Sequence, residues 1–300
     1  MIVSPWFRIG EMLRNAALLL YIALVWASAI LFIKNEESTV PPITIMAGRA
    51  LIAFVTLFAA ALITRRKITG LAGYFPKFVF FALLGIVLVW LFLAFGQEYI
   101  SVGLASVLVT TTPLMTFVIL VLILRAERFS LQGLGGLVMG FAGIVLVIGL
   151  NRIMSGGTTL TGVMYIGGAF MLLAVNGILV AKWMRGVDPL INTMYFLLFG
   201  GLILAALAFV FERPLQVPWT RDTIASELAL GVICTASGYF GYYYLIQKAG
   251  AYFSSFIFYF IPVFGMMEGH MFRGEKVAVS QIVGVAVVLA GVYLINREKG

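Results

Sequence analysis

The segment "SVLVTTTPLMTFVILVLILRAERFSLQG" (residues 106–133) sets a proline and three consecutive threonines inside an apolar run that stops at a charged turn. The chain repeats this layout in "SSFIFYFIPVFGMMEGHMFRGEKVAVSQ" (254–281): small hydroxyl residues, a proline inside an apolar run, then an Arg/Glu turn leading into a glycine-rich run. Ser106 aligns with Ser255 and Pro113 with Pro262 at an offset of 149. After one residue is dropped, Glu127 falls on Glu275, Gly136 on Gly284 and Gly143 on Gly291 at an offset of 148. The match extends weakly upstream, with Tyr21 on Tyr165 and Pro42 on Pro189. The chain reads as two copies of one unit, residues 1–153 and 154–300.

Composition fixes the solvent of these units. Of the 300 residues, 62% are apolar and 11% charged, with a mean hydropathy of +1.09; soluble domains carry about a quarter charged residues. The apolar residues fall into ten blocks, near 16–33, 42–64, 77–97, 102–124, 131–150, 160–181, 190–211, 224–246, 252–272 and 277–295. Each is close to the ~20 residues that carry a helix across ~30 Å of hydrocarbon. The blocks are apolar on every face and lack the alternation of a membrane barrel, which leaves helices as the spanning structure. The expected fold class is an all-α polytopic membrane protein of ten transmembrane helices. The first block contains "ASA" at Ala27–Ala29, which fits a signal-peptidase site, but it also takes part in the repeat.

Five spans per copy is an odd number, so the second copy enters the membrane from the opposite side. The expected arrangement is two inverted five-helix repeats, a plan that recurs in secondary transporters. With the N-terminus inside, the cytoplasmic segments hold thirteen Lys and Arg against six outside, Arg49 being left out because it lies within a block. Both termini are then expected in the cytoplasm of an inner or plasma membrane.

The net charge of +8 needs no nucleic-acid partner, because basic loops facing anionic lipid account for it. The single cysteine, Cys234, lies in an apolar block, so no intramolecular disulfide and no metal cluster is expected. No GxxxxGK[ST] motif is present, which argues against direct ATP hydrolysis. One histidine, one cysteine and no paired intramembrane acids do not make an intramembrane catalytic centre. Neither enzyme activity nor a cofactor is expected.

The two copies resemble the EamA-type repeat of the drug/metabolite transporter superfamily. The residues that carry the resemblance are "ALVWASAILFIK" (23–34), "PPITIMAGRALIA" (41–53) and "GLASVLVTTTPLMTFVILVLILRAERFSLQGLGGLVMGFAGIVLVI" (103–148), the last echoed by 251–295. The resemblance covers nearly the whole chain and implies a secondary transporter of a small organic solute working by alternating access. Exporters of amino acids or related metabolites are the leading class it implies; drug or sugar-linked solute transport, and a non-transporting scaffold, are the alternatives. The second copy departs from the first where "TTTP" becomes "YFIP".

Candidate site residues follow from polar or bulky groups placed within spans. Pro113 and Pro262 each remove one helical hydrogen bond and bend their helices, shaping a cavity or making a static kink. Thr110, Thr111 and Thr112 fan across nearly half of a helix at about 100° per residue; their hydroxyls either line a cavity or return to the backbone one turn earlier. Arg49 lies about 10 Å inside the second span at ~1.5 Å per residue, where it binds a substrate carboxylate, snorkels to the interface or forms a structural ion pair. Glu268 and His270, near the end of the ninth span, are coupling candidates: a buried carboxylate and an imidazole can carry a proton, while a histidine at a helix end also complements the dipole. A pairing of Glu268 with Arg49 is a further option. Trp26, Trp90, Asn176, Tyr239, Tyr242, Tyr243 and Tyr259 fall in the first, third, sixth, eighth and ninth spans, which the resemblance places, with the fourth, around a central cavity. Gly136 and Gly140 form a GxxxG that suits close packing within each half or a homodimer face. The expected partners are a small-molecule solute, the lipid bilayer and, through that face, a second copy of the chain.

Overall fold

The computed structural model describes residues 5–36, 39–68, 71–99, 105, 108–125, 130–148, 160–273 and 278–297. Ser106, Glu127, Glu275 and the boundary between residues 153 and 154 lie outside the described residues.

Among the described residues the chain forms ten helices. The first half comprises α1 (Pro5–Glu36), α2 (Pro42–Ile63), α3 (Phe75–Ala82 and Leu88–Gln97, joined through a π-helical stretch Leu83–Val87), α4 (Thr112–Val118 continuing as Ile119–Ile123) and α5 (Leu131–Ile148). The second comprises α6 (Leu160–Trp183), α7 (Pro189–Phe211), α8 (Arg221–Ala229, a π-helical stretch Leu230–Ser237, then Gly238–Ser255), α9 (Ile257–Arg273) and α10 (Val279–Arg297). Six of them, α1, α2, α3, α6, α7 and α8, are long and apolar enough to span a membrane; α4, α5, α9 and α10 are shorter apolar helices. The outer faces expose large apolar side chains such as Val55, Phe58, Leu202 and Phe209, while Asn176, Asn192 and Thr235 are fully buried. This is the inside-out polarity that lipid imposes, because hydrocarbon solvates apolar faces and leaves polar groups to find partners within the protein.

The halves are joined by like helices running in opposite directions. The most extensive helix pairs are α5 with α10 and α2 with α7. In the first pair, Gln132 Nε2 at the start of α5 donates to the Leu294 carbonyl at the end of α10, 3.0 Å. Gln281 Nε2 at the start of α10 donates to the Val147 carbonyl at the end of α5, also 3.0 Å. The second pair has the same reciprocity. Helix α2 begins with Pro42 after a Pro41 cap that offers no side-chain acceptor, and Glu212 at the end of α7 supplies one, taking the Ile43 and Thr44 amides at 2.9 and 2.7 Å. At the other end Asp188 caps α7 through the Leu190 amide, 2.9 Å, and its second oxygen holds Arg66 Nη1 at 2.8 Å. A carboxylate at each helix N-terminus satisfies orphan amides and opposes the positive end of the dipole.

The glycines of α5 and α10 do not serve the close packing within each half that their sequence pattern leads one to expect. They pack one half against the other. A Cβ on Gly143 would stand 2.7 Å from the Gly284 carbonyl oxygen, one on Gly284 2.6 Å from that of Gly143, and one on Gly291 2.6 Å from that of Gly136. The backbones approach this closely because neither helix carries a side chain at those positions. This face is therefore occupied inside the chain.

The weakly aligned tyrosines also take matching places. Tyr21 of α1 reaches α8 through a 2.7 Å hydrogen bond with Ser237, and Tyr165 of α6 packs on Phe92 and Phe95 of α3. The first helix of each half thus leans on the third helix of the other.

The threonine–proline stretch forms a local break. Thr110 and Thr111 make a turn from which α4 starts afresh, with Pro113 in its first turn. Proline cannot donate to the Val109 carbonyl; the Thr112 hydroxyl does so instead, at 2.7 Å, and the Thr111 hydroxyl donates to the Leu108 carbonyl at 2.6 Å. The second copy breaks elsewhere: Gly250, at φ 87°, interrupts the end of α8, a further turn follows at Phe256, and Pro262 lies inside α9.

Candidate solute site

Two of the three π-helical stretches among the described residues come directly before the residues at the centre of the molecule; the third, Ile119–Ile123, ends α4. Leu83–Val87 leads to Trp90 in α3, and Leu230–Ser237 leads to Tyr239 in α8. An inserted π turn shifts the following side chains around the helix axis and loosens the backbone ladder, a device common at functional sites. Trp90 Nε1 donates to the Tyr239 hydroxyl at 2.7 Å, and the two residues are 149 apart, the offset that relates the two prolines. The bond ties the third helix of one half to the third helix of the other. Tyr239→Phe leaves the Trp90 N–H buried without that acceptor and is expected to lower stability by about 1 kcal/mol. Thermal unfolding of the detergent-solubilised protein reads this; an unchanged midpoint would mean that the bond adds nothing.

Arg49 joins the pair from α2. Its guanidinium carbon lies 4.3 Å from the centre of the Trp90 ring, and its Nε donates to the Thr235 hydroxyl at 2.9 Å. The side chain is 8% exposed, so it is turned into the protein and does not snorkel. Among the described residues no carboxylate stands within ion-pair distance of it, Glu268 included. The guanidinium retains donors beyond Nε.

An aromatic cluster extends from this point. The Trp26 ring of α1 lies 5.2 Å from Tyr239, 5.3 Å from Tyr242 and 5.8 Å from Phe258. Tyr242 touches Tyr243, whose hydroxyl accepts from Asn176 Nδ2 at 3.0 Å. Two polar atoms within the cluster have no partner among the described residues: Trp26 Nε1, a donor, and Asn176 Oδ1, an acceptor. Glycines make room for both side chains, since a Cβ at Gly238 would press on the Trp26 nitrogen and one at Gly85 on the Asn176 amide. Trp26, Arg49, Trp90, Asn176, Tyr239 and Tyr243 are thus brought together, with α1, α2, α3, α6 and α8 each contributing.

Other candidates lie apart. The Tyr259 hydroxyl donates to the Leu137 carbonyl at 2.9 Å and its ring covers Gly140, so it braces α9 against α5. Thr110 is buried at the α4 turn and Thr111 is spent on the backbone. Glu268 and His270 diverge: Glu268 is buried, while His270 is exposed on another face of α9. The Ser28 hydroxyl donates to Glu268 Oε1 at 2.5 Å, and Oε2 is sealed without a partner among the described residues. Helix α9 packs on α1 and α5; α5 carries no titratable residue, and Cys234 of α8 lies within electrostatic range of both Glu268 and Arg49. Sequence reasoning missed Ser28, Thr235 and Glu227. Glu227 is buried in α8 with its carboxylate against Gly48, next to Arg49 in the chain, and an acid just inside the eighth apolar block was its visible signal.

Comparison with known proteins settles the family. The profile of the EamA-like transporter family matches residues 14–149 and again 160–297. The chain belongs to the EamA-like transporter family. This EamA-like chain is 29% identical over 286 residues to a WAT1-related chloroplastic protein of Arabidopsis thaliana, covering 92% of the chain and 67% of that protein. It is 27% identical to an uncharacterized transporter of Archaeoglobus fulgidus, covering 91% and 95%, and 22% identical to the uncharacterized transporter YoaV of Bacillus subtilis, covering 91% and 93%. A crystal structure shares its fold with a TM-score of 0.80 at 16% identity, covering 94% of this EamA-like chain and 96% of the other. The protein is a multi-pass membrane transporter of the drug/metabolite transporter superfamily.

Proposed function

We propose that the protein exports amino acids or related carboxylate-bearing metabolites across a cell membrane by alternating access between its inverted halves, as a carrier and not a catalyst. The observation that carries the reading is Arg49, a buried guanidinium stacked on Trp90 with one hydrogen bond from its Nε. A carboxylate accepts two parallel N–H bonds from such a fork and neutralises a charge that is costly inside the membrane. Asn176 Oδ1 offers an acceptor for an ammonium group, and the aromatic rings suit the apolar part of the solute. The ends of α2, α3, α6 and α7 that carry Arg65, Arg66, Lys67, Lys77, Lys182 and Arg185 gather on one face. This supports a cytoplasmic placement of that face and of both termini.

The reading is tested in proteoliposomes loaded with a pool of amino acids and related organic acids. Saturable, protein-dependent efflux of carboxylate-bearing members is expected; efflux confined to uncharged or sugar-linked solutes would overturn the assignment.

Glu268 is the coupling group in this reading, because it is a carboxylate buried within a span and held by one hydrogen bond, from Ser28. Efflux is expected to rise under an opposing proton gradient, and Glu268→Gln to abolish that response while preserving solute exchange at equal pH. A wild-type flux indifferent to the gradient would remove the proton from the mechanism.

A further inference from the structure

The cytoplasmic-type face described above contains a second built feature, remote from the aromatic cluster. Helix α2 ends with Arg65 in the left-handed region, φ 52°, its amide bonded to the Leu62 carbonyl at 3.1 Å and the next amide, of Arg66, bonded to the Ala61 carbonyl at 2.9 Å. This is the reciprocal helix-ending motif in which glycine is the residue of lowest steric cost. The chain places an arginine there. Arg125 and Arg213 also have positive φ after helix ends. Arg65, however, is followed by two further cations, and together they form a wall of a cleft.

The cleft has a volume of about 430 Å³, with Arg65, Arg66 and Lys67 on one side and Gly186 and Asp188 on the other. Its single carboxylate is already committed, one oxygen to the Leu190 amide and the other to Arg66. Arg65 and Lys67 are left without an ion-pair partner among the described residues. Lys77 adds a further cation at the edge, stacked 5.0 Å over Tyr74, whose hydroxyl borders Gly186. Just before the cations α2 exposes apolar side chains: Leu62 is 55% and Ile63 82% exposed, and Trp183 stands exposed at the end of α6. Indole side chains favour the headgroup depth of a bilayer.

We propose that this cleft binds the phosphate headgroup of an anionic phospholipid, with its acyl chains lying along Leu62 and Ile63. A soluble anion would be satisfied by the cations alone. The apolar surface continuous with them favours an amphiphile. Because Arg66 and Asp188 belong to different halves, the bound lipid sits on the seam between them. The inference does not depend on which solute the transporter carries.

Native mass spectrometry of the delipidated protein tests it, with phosphatidylglycerol and phosphatidylcholine added at equal concentration and inorganic phosphate as a separate arm. Phosphatidylglycerol is expected to bind about tenfold better than phosphatidylcholine, and Arg65→Gly with Lys67→Gln to erase the preference. Glycine suits the backbone at position 65, so this variant is expected to unfold no earlier than wild type in lipid-free detergent, which separates lost binding from lost structure. Arg65→Lys with Lys67→Arg is expected to restore the preference. Equal binding of the two lipids, or a preference that survives the charge-removing variant, would overturn the proposal. Displacement of phosphatidylglycerol by millimolar phosphate would overturn the lipid assignment in favour of a free-anion site.

Discussion

Arg49→Ala is expected to lower the kcat/KM of efflux by about 10- to 100-fold, the loss of one charge-assisted contact worth about 1.5–3 kcal/mol. Arg49→Lys is expected to stay well below wild type, because an ammonium carries the charge without the planar fork and stacks less well on Trp90. Since Arg49 also holds Thr235, the control is Thr235→Val, which removes only the Nε bond and is expected to change flux several-fold less. The measurement is saturable efflux from proteoliposomes holding equal amounts of folded protein. Alanine at position 49 with wild-type kinetics would make this arginine an internal strut and leave the carboxylate reading without its anchor. If lysine at 49 restores full rate, charge alone matters and the bidentate geometry does not.

The second large effect concerns the seam between the halves. Gly143→Ala puts a methyl group 2.7 Å from the Gly284 carbonyl oxygen, and a backbone atom cannot rotate away as a side chain can. The expected cost is about 1–3 kcal/mol, the usual penalty for overpacking, and Gly143→Leu is expected to leave little folded protein in the membrane. Gly135, a few residues earlier on the same helix, is the matched control: a Cβ there meets nothing nearer than Leu294 Cδ2 at 4.0 Å. Gly135→Ala is expected to be neutral or stabilising, because alanine improves helix propensity without a clash. Size-exclusion profiles and thermal midpoints in detergent compare the two. Equal tolerance at both positions would show that α5 and α10 are less closely packed than their backbones indicate.

Both predictions depend on positions that the sequence marked without explaining. Arg49 stood out as a cation inside an apolar block, and its depth could be counted; its neighbours Trp90 and Thr235 could not, because they lie on α3 and α8. The glycines of α5 and α10 were visible as a spaced pattern, but spacing along one helix does not say which other helix fills the groove. The choice fell to a helix of the opposite half. Glu268 and His270 are two positions apart in sequence and face different surroundings, since a helix turns about 100° per residue. Tyr259 was grouped with the cluster tyrosines by its span, and rotation about α9 aims it at Leu137 instead.

Long-range hydrophobic patterning by itself determined that this chain spans the membrane with ten helices in two copies. Hydrocarbon forbids unsatisfied backbone, and that constraint acts on each block separately. The same patterning set the inversion, because parity of spans is arithmetic. Trp90 and Tyr239 stood out in the sequence as aromatic residues within the third and eighth spans, but only the tertiary structure made them partners. Which rotational face of each helix turns inward depends on π-helical insertions, proline breaks and close backbone contacts with other helices. In lipid that choice is made by packing and hydrogen bonding between helices, because an apolar face gains little by leaving an apolar solvent.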